Sequence, residues 1–226
     1  MSGSLVSAGL RTRVRGLAEP VARGLGRLGL TPNHLTFIGF GIAVIAAVAA
    51  AQQVWLLAGA LVLFGAVFDL FDGALARATN KVSKLGAFYD SVFDRWGEGV
   101  VYLGIIWGFA SAGFNEAVVL PAGAGLSAFM VSYTRAKAEG LGFTPGSGMA
   151  SVGLAPREVR IAILSLGLIL ATGPILELPP PGSACAGVCD FPQGGSLAVA
   201  LGLITILATV TTIQRILHVR AQAREG

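Results

Sequence analysis

The chain runs to 226 residues, of which 54% are hydrophobic and 12% charged, with 16 Lys and Arg against 12 Asp and Glu. Soluble domains carry about 25% charged residues, so this composition excludes an ordinary water-soluble domain and belongs to a bilayer. With no P-loop and no strand-then-helix pattern around its G-x-G-x-x-G string, Gly24 to Gly29, the sequence also gives no ground for a soluble nucleotide-binding fold or a nucleic-acid partner.

In chain order, residues 5–28 come first. Leu10, Val14, Leu17, Val21, Leu25 and Leu28 recur at spacings of three and four, with arginines on the other faces. That is the pattern of an amphipathic helix lying in the membrane interface. Arg11, Arg13 and Arg15 interrupt the apolar run that a cleavable leader needs. Gly29 ends the segment, and Thr31, Pro32 and Asn33 supply the cap and first turn of the first span.

Six stretches of roughly 20 residues are apolar enough to cross the hydrocarbon. They fall at residues 35–51, 54–77, 85–110, 117–137, 159–176 and 196–217. The expected fold is all-α and polytopic: an interfacial helix in residues 1–30, then a six-helix transmembrane domain in residues 31–226. The loop at 140–156 is rich in Gly, Ser and Pro and reads as irregular, as does the loop at 177–195.

With six spans the two termini share a side. The loops at 111–116 and 177–195 contain no Lys or Arg, while the basic residues gather at the opposite level. The basic side is the cytoplasmic one, so both termini face the cytoplasm of a cell (inner) membrane. Cys185 and Cys189 share the basic-free loop, where they either form a disulfide or stand as two unpaired small residues.

Asp69, Asp72, Asp90 and Asp94 lie within the second and third spans. A carboxylate at mid-membrane costs on the order of 3 kcal/mol, so four together need a compensating reason. Asp69, Asp72 and Ala76 share one helix face at i, i+3 and i+7; Gly86, Asp90 and Asp94 share another at i, i+4 and i+8. A tight hairpin of the two spans would bring these faces together. Hard oxygen donors without His or Cys favour Mg²⁺, Mn²⁺ or Ca²⁺. Ion-paired structural aspartates, partnered by Arg77, Lys81 and Arg95, are the plainer alternative. A cation path across the membrane is another, although it has no use for a fixed arginine beside its ligands.

Asp69, Asp72, Gly73, Ala76, Arg77, Gly86, Asp90 and Asp94 match the pattern D-x2-D-G-x2-A-R-x8-G-x3-D-x3-D at all eight fixed positions. In this the chain resembles the CDP-alcohol phosphotransferase family of membrane enzymes, as it does in its six-span layout and amphipathic start. The resemblance implies that Asp69, Asp72, Asp90 and Asp94 hold divalent metal, Mg²⁺ or Mn²⁺, with two ions per site. Asp94 also serves as general base on the acceptor hydroxyl. The CDP-lipid side falls to Asn33, His34, Leu35, Thr36, Gly73, Ala76, Arg77, Ser83 and Gly86, and a homodimer is implied.

A second basic group, Arg135, Lys137, Arg157, Arg160 and Arg215, sits at one membrane level and suggests an anionic acceptor, with Glu139 and Glu158 as neighbouring acids. The stretch Ser132 to Glu139, followed by the Arg157 and Arg160 pair, resembles the actinobacterial phosphatidylinositol-phosphate synthases. That subfamily joins CDP-diacylglycerol to inositol 1-phosphate. A phosphatidylglycerophosphate synthase, whose acceptor is also a phosphate monoester, is the competing enzyme.

Overall fold

The computed structural model describes residues 20–21, 24–79, 81–143, 153–171 and 195–225. Within them the chain is helical: α1 Pro32–Ala51, α2 Trp55–Ala78, α3 Lys84–Ser111, a 3-10 turn Asn115–Val118 leading into α4 Val119–Gly140, α5 Arg157–Leu170 and α6 Gly195–Glu225. Local chemistry sets the starts of α1 and α3. Thr31 Oγ1 accepts from the backbone N–H of His34 at 3.3 Å, and His34 Nδ1 accepts in return from the N–H of Thr31 at 3.4 Å. This is a reciprocal capping box ahead of Pro32. Ser83 caps α3 by accepting from the N–H of Gly86 at 3.0 Å.

Four of these helical segments are long and apolar enough to cross a membrane: Pro32–Ala51, Trp55–Ala78, Asn115–Gly140 and Gly195–Arg224. Six spans were expected. The third expected span exists as α3, 28 residues long, but Lys84, Asp90, Asp94, Arg95 and Glu98 all fall between its first residue and the turn at its middle. The fifth exists as α5, whose 14 residues reach only about 21 Å at 1.5 Å per residue. Residues 172–194, including Cys185 and Cys189, lie outside the described residues, as do 144–152 and most of the expected interfacial helix. Its end at 24–27 is helical.

The expected hairpin is not what joins the two aspartate helices. α1 packs along both α2 and α3, while α2 also leans on α5, α3 meets α4, and α6 closes against α4 and α5. The close fit of α1 on α3 comes from small residues. A Cβ at Gly104 would overlap the carbonyl of Ala47, one at Gly108 would meet the carbonyl of Ala50 at 2.5 Å, and one at Gly97 would meet Ala43 at 3.2 Å. Gly59 does the same for α2 on α5, with the Ser165 carbonyl 2.9 Å from where its Cβ would stand. Small-residue seams of this kind are how helices approach closely in lipid.

The main core gathers Trp55, Tyr102, Ile105, Phe109, Leu164, Leu168, Leu197, Leu201 and Ile204. A smaller one, Leu35, Ala74 and Leu75 with Leu25, Leu30, Phe68 and Phe71 against it, ties the start of α1 to the end of α2. Outward, Leu103, Trp107, Leu126 and Ile206 are more than 60% exposed, the inverse of a soluble protein and the arrangement lipid favours.

Candidate active site between four helices

Because α1 stands between α2 and α3, the aspartate faces flank a cleft instead of closing on each other. The cleft encloses about 540 Å³ with its open mouth. Its polar lining is Thr36, Asp69, Asp94, Glu98 and Arg157, and much of the rest is apolar, including Leu61, Val101 and Leu164. A concave, largely apolar site with a few convergent polar groups is what a lipid-linked ligand requires.

Arg157, in the first turn of α5, spans this cleft. Its Nη2 lies 2.7 Å from Asp69 Oδ2 and its Nη1 lies 3.0 Å from Asp94 Oδ2, with the side chain 28% exposed. One planar cation therefore bridges a carboxylate of α2 and a carboxylate of α3. Asp72 is buried, and its Oδ2 accepts from the Thr36 hydroxyl of α1 at 2.9 Å. Asp90 stands one helical turn before Asp94, half-buried. Among the described residues, no three acids, histidines or cysteines stand close enough to hold an ion as a group. The donor chemistry nevertheless suits a hard cation. Two hard carboxylates from different helices already converge on a single positive group, and a third is held in place by a hydroxyl.

Glycines open the space beside these carboxylates. A Cβ at Gly39 of α1 would stand 3.1 Å from Asp69 Oδ1, so α1 backbone passes directly over that acid. Arg77 folds back over Gly73, its Nη1 lying 3.3 Å from where a Cβ would be. Asn33 reaches the first turn of α3, its Oδ1 being 3.4 Å from the Cβ position of Gly86. The rest of the expected CDP-lipid group is more dispersed in role. His34 and Ser83 are engaged in helix caps, Leu35 is buried in the smaller core, and Ala76 is half-buried one turn after Asp72.

The expected acceptor group separates into distinct environments. Arg135 pairs with Glu139 at 2.8 Å on the outside of α4, as the sequence suggested, and Lys137 is exposed. Arg215 is buried and donates through Nη1 to the Val131 carbonyl. Arg160 is buried in a bidentate pair with Glu98, at 2.9 and 2.8 Å, and not with the neighbouring Glu158. Glu98 is the residue that sequence reasoning missed. The signal was present: it extends the run Gly86, Asp90, Asp94 by four more residues along one face.

Residues 29–219 match the family described as CDP-alcohol phosphatidyltransferase. The chain is 32% identical over 217 residues to the archaetidylinositol phosphate synthase of Pyrococcus horikoshii, covering 96% of this chain and 98% of that one. A crystal structure of Mycobacterium tuberculosis phosphatidylinositol phosphate synthase with CDP-DAG bound superposes with a TM-score of 0.73 at 27% identity, over 89% of this chain and 92% of that one. The same enzyme in complex with manganese and citrate superposes with a TM-score of 0.68 at 28% identity, over 89% and 88%.

Proposed function

Since the chain belongs to the CDP-alcohol phosphatidyltransferase family and is an enzyme of that kind, we propose that it transfers the phosphatidyl group of CDP-diacylglycerol to inositol 1-phosphate, releasing CMP and leaving a phosphatidylinositol phosphate in the membrane. The observation that carries this reading is Arg157. A third helix delivers a cation to two carboxylates of the eight-position motif, which supports a phosphorylated acceptor by offering its anion a positive group beside the proposed base. The two relatives' names share inositol phosphate and differ in the lipid part, archaetidyl in one and phosphatidyl in the other. They therefore support the acceptor more strongly than the lipid.

In the mechanism, the acceptor hydroxyl gives its proton to an oxygen of Asp94. The hydroxyl oxygen then bonds to the phosphorus that carries the lipid. The bond from that phosphorus to CMP breaks, and CMP leaves with the electron pair. Asp69, Asp72, Asp90 and Asp94 would hold divalent cations, Mg²⁺ or Mn²⁺ and two per site, which neutralise the diphosphate and the departing charge. Arg77 meets the diphosphate, while Gly73 and Ala76 leave room for the nucleotide beside α2. Arg157 binds the acceptor phosphate, with Arg135, Lys137 and Arg215 at the same level. The exposed apolar belt and the one-sided basic residues support a six-span protein of the cell membrane with both termini and the site cytoplasmic; that it acts as a homodimer rests on the family resemblance alone.

CMP release by purified protein tests this directly. Inositol 1-phosphate, free inositol and glycerol 3-phosphate are compared as acceptors, with CDP-diacylglycerol or its archaeal ether counterpart as donor, and with Mg²⁺, Mn²⁺ or a chelator. Release with inositol 1-phosphate that stops on chelation is expected. Equal release with free inositol removes the phosphorylated acceptor, and preference for glycerol 3-phosphate reassigns the product.

A further inference from the structure

Arg157 meets Asp69 and Asp94 only if α5 is set at one rotation and one depth, because about 100° separates successive side chains on a helix. What sets it lies one turn deeper. The Arg160 guanidinium is engaged on three sides: Nε and Nη2 on the two oxygens of Glu98, and Nη1 on the Ala155 carbonyl at 3.0 Å. The segment leading into α5 is itself held from α6. Thr211 Oγ1 accepts from the N–H of Ala155 at 3.0 Å and from that of Leu154 at 3.1 Å. Arg160, Ala155 and Thr211 are each no more than 1% exposed, and the Glu98 side chain is 8% exposed. A continuous line of buried polar contacts thus runs from α3 through the first turn of α5 to α6.

Stability alone does not account for this line. A buried ion pair is often matched or bettered by apolar side chains of similar volume, and these helices already bury Leu164, Leu168 and Leu201. What apolar packing lacks is direction. A guanidinium forked onto a carboxylate permits one orientation, and that orientation aims the residue three positions earlier at the cleft. We infer that Glu98, Arg160 and Thr211 are positioning residues for the acceptor half of the reaction, holding α5 so that Arg157 meets the acceptor phosphate beside Asp94. This rests on the proposed function, in which Arg157 faces the acceptor, and it removes Arg160 from the phosphate contacts because each of its three nitrogens is already engaged by Glu98 or Ala155 and the residue is 1% exposed.

The test uses the full chain in detergent, measuring CMP release with each substrate varied in turn. The donor is CDP-diacylglycerol, and the acceptor is inositol 1-phosphate, or glycerol 3-phosphate if that is the monoester turned over. Glu98→Gln keeps the shape of the fork but not its charge. Thr211→Val keeps volume and loses the hydroxyl, and Thr211→Ser restores it. The expected result is a rise on the order of tenfold in KM for the acceptor in Glu98→Gln and Thr211→Val, with KM for the donor within about twofold and Thr211→Ser close to wild type. Equal changes in both KM values, or no change in Thr211→Val, overturns the inference. Should Glu98→Gln fail to fold, the Thr211→Val and Thr211→Ser pair decides alone. Arg157→Ala separates the two layers. If it leaves the acceptor KM unchanged, the acceptor reading itself fails; if it raises that KM while the Thr211 and Glu98 variants do not, only the positioning role fails.

Discussion

Asp94→Asn is the substitution that most sharply separates chemistry from binding. The amide has nearly the shape of the carboxylate, and its oxygen can still accept from Arg157 Nη1, which stands 3.0 Å from Asp94 Oδ2. The bridge from α5 to α3 should therefore survive while the proton acceptor is lost. General-base catalysis is worth about 10²- to 10⁴-fold, or roughly 2.7–5.4 kcal/mol of barrier, so kcat should fall by that factor. KM for the CDP-lipid should move by less than about threefold, because Asp69, Asp72 and Arg77 are untouched. The assay is CMP release at saturating donor and acceptor, repeated over a Mn²⁺ titration. A kcat within about threefold of wild type refutes the base assignment. So does a deficit that rising Mn²⁺ repairs, since that would make Asp94 a ligand only.

The same geometry sets three more outcomes. Gly73→Leu should weaken CDP binding in a direct titration without lowering thermal stability, because the new side chain fills the space beside α2 and displaces Arg77 from 3.3 Å; unchanged CDP binding would place the nucleotide elsewhere. Thr36→Val leaves buried Asp72 without its 2.9 Å donor and should lower stability by about 1.5–3 kcal/mol, seen in the melting temperature in detergent; an unshifted melt would show the bond to be dispensable. Gly59→Ala puts a Cβ 2.9 Å from the Ser165 carbonyl, forces α2 and α5 apart by about half an ångström, and should cost roughly 1–3 kcal/mol by the same melt. Wild-type stability there would mean the seam has slack.

The aspartates were legible because their spacing is a property of single helices: i, i+3 on α2 and i, i+4 on α3 need no knowledge of packing. Helix positions were legible for the same reason. Hydropathy placed the last span at 196–217, but α6 continues to Glu225 as a polar extension that a hydropathy window does not register. The relation between helices was not legible. Consecutive spans suggested a hairpin of α2 and α3, whereas α1 packs on both and leaves a cleft between them. Arg157 and Arg160 look equivalent at i, i+3, yet one reaches Asp69 and Asp94 and the other Glu98, one turn farther along α3. That distinction depends on depth in the packed bundle, and a partner 62 residues away leaves no local mark.

The glycine and alanine seam between α1 and α3 has a mechanical consequence. Gly97, Gly104 and Gly108 meet Ala43, Ala47 and Ala50 with no rotamers able to adjust between them. The two helices move as one piece, carrying Thr36 and Asp94 together. Any rearrangement at the cleft must therefore be taken up outside this seam. The framework side of the cleft is stiff by composition, whereas the side that carries Arg157 is set by directed polar contacts, Arg160 on Glu98 and Ala155 on Thr211.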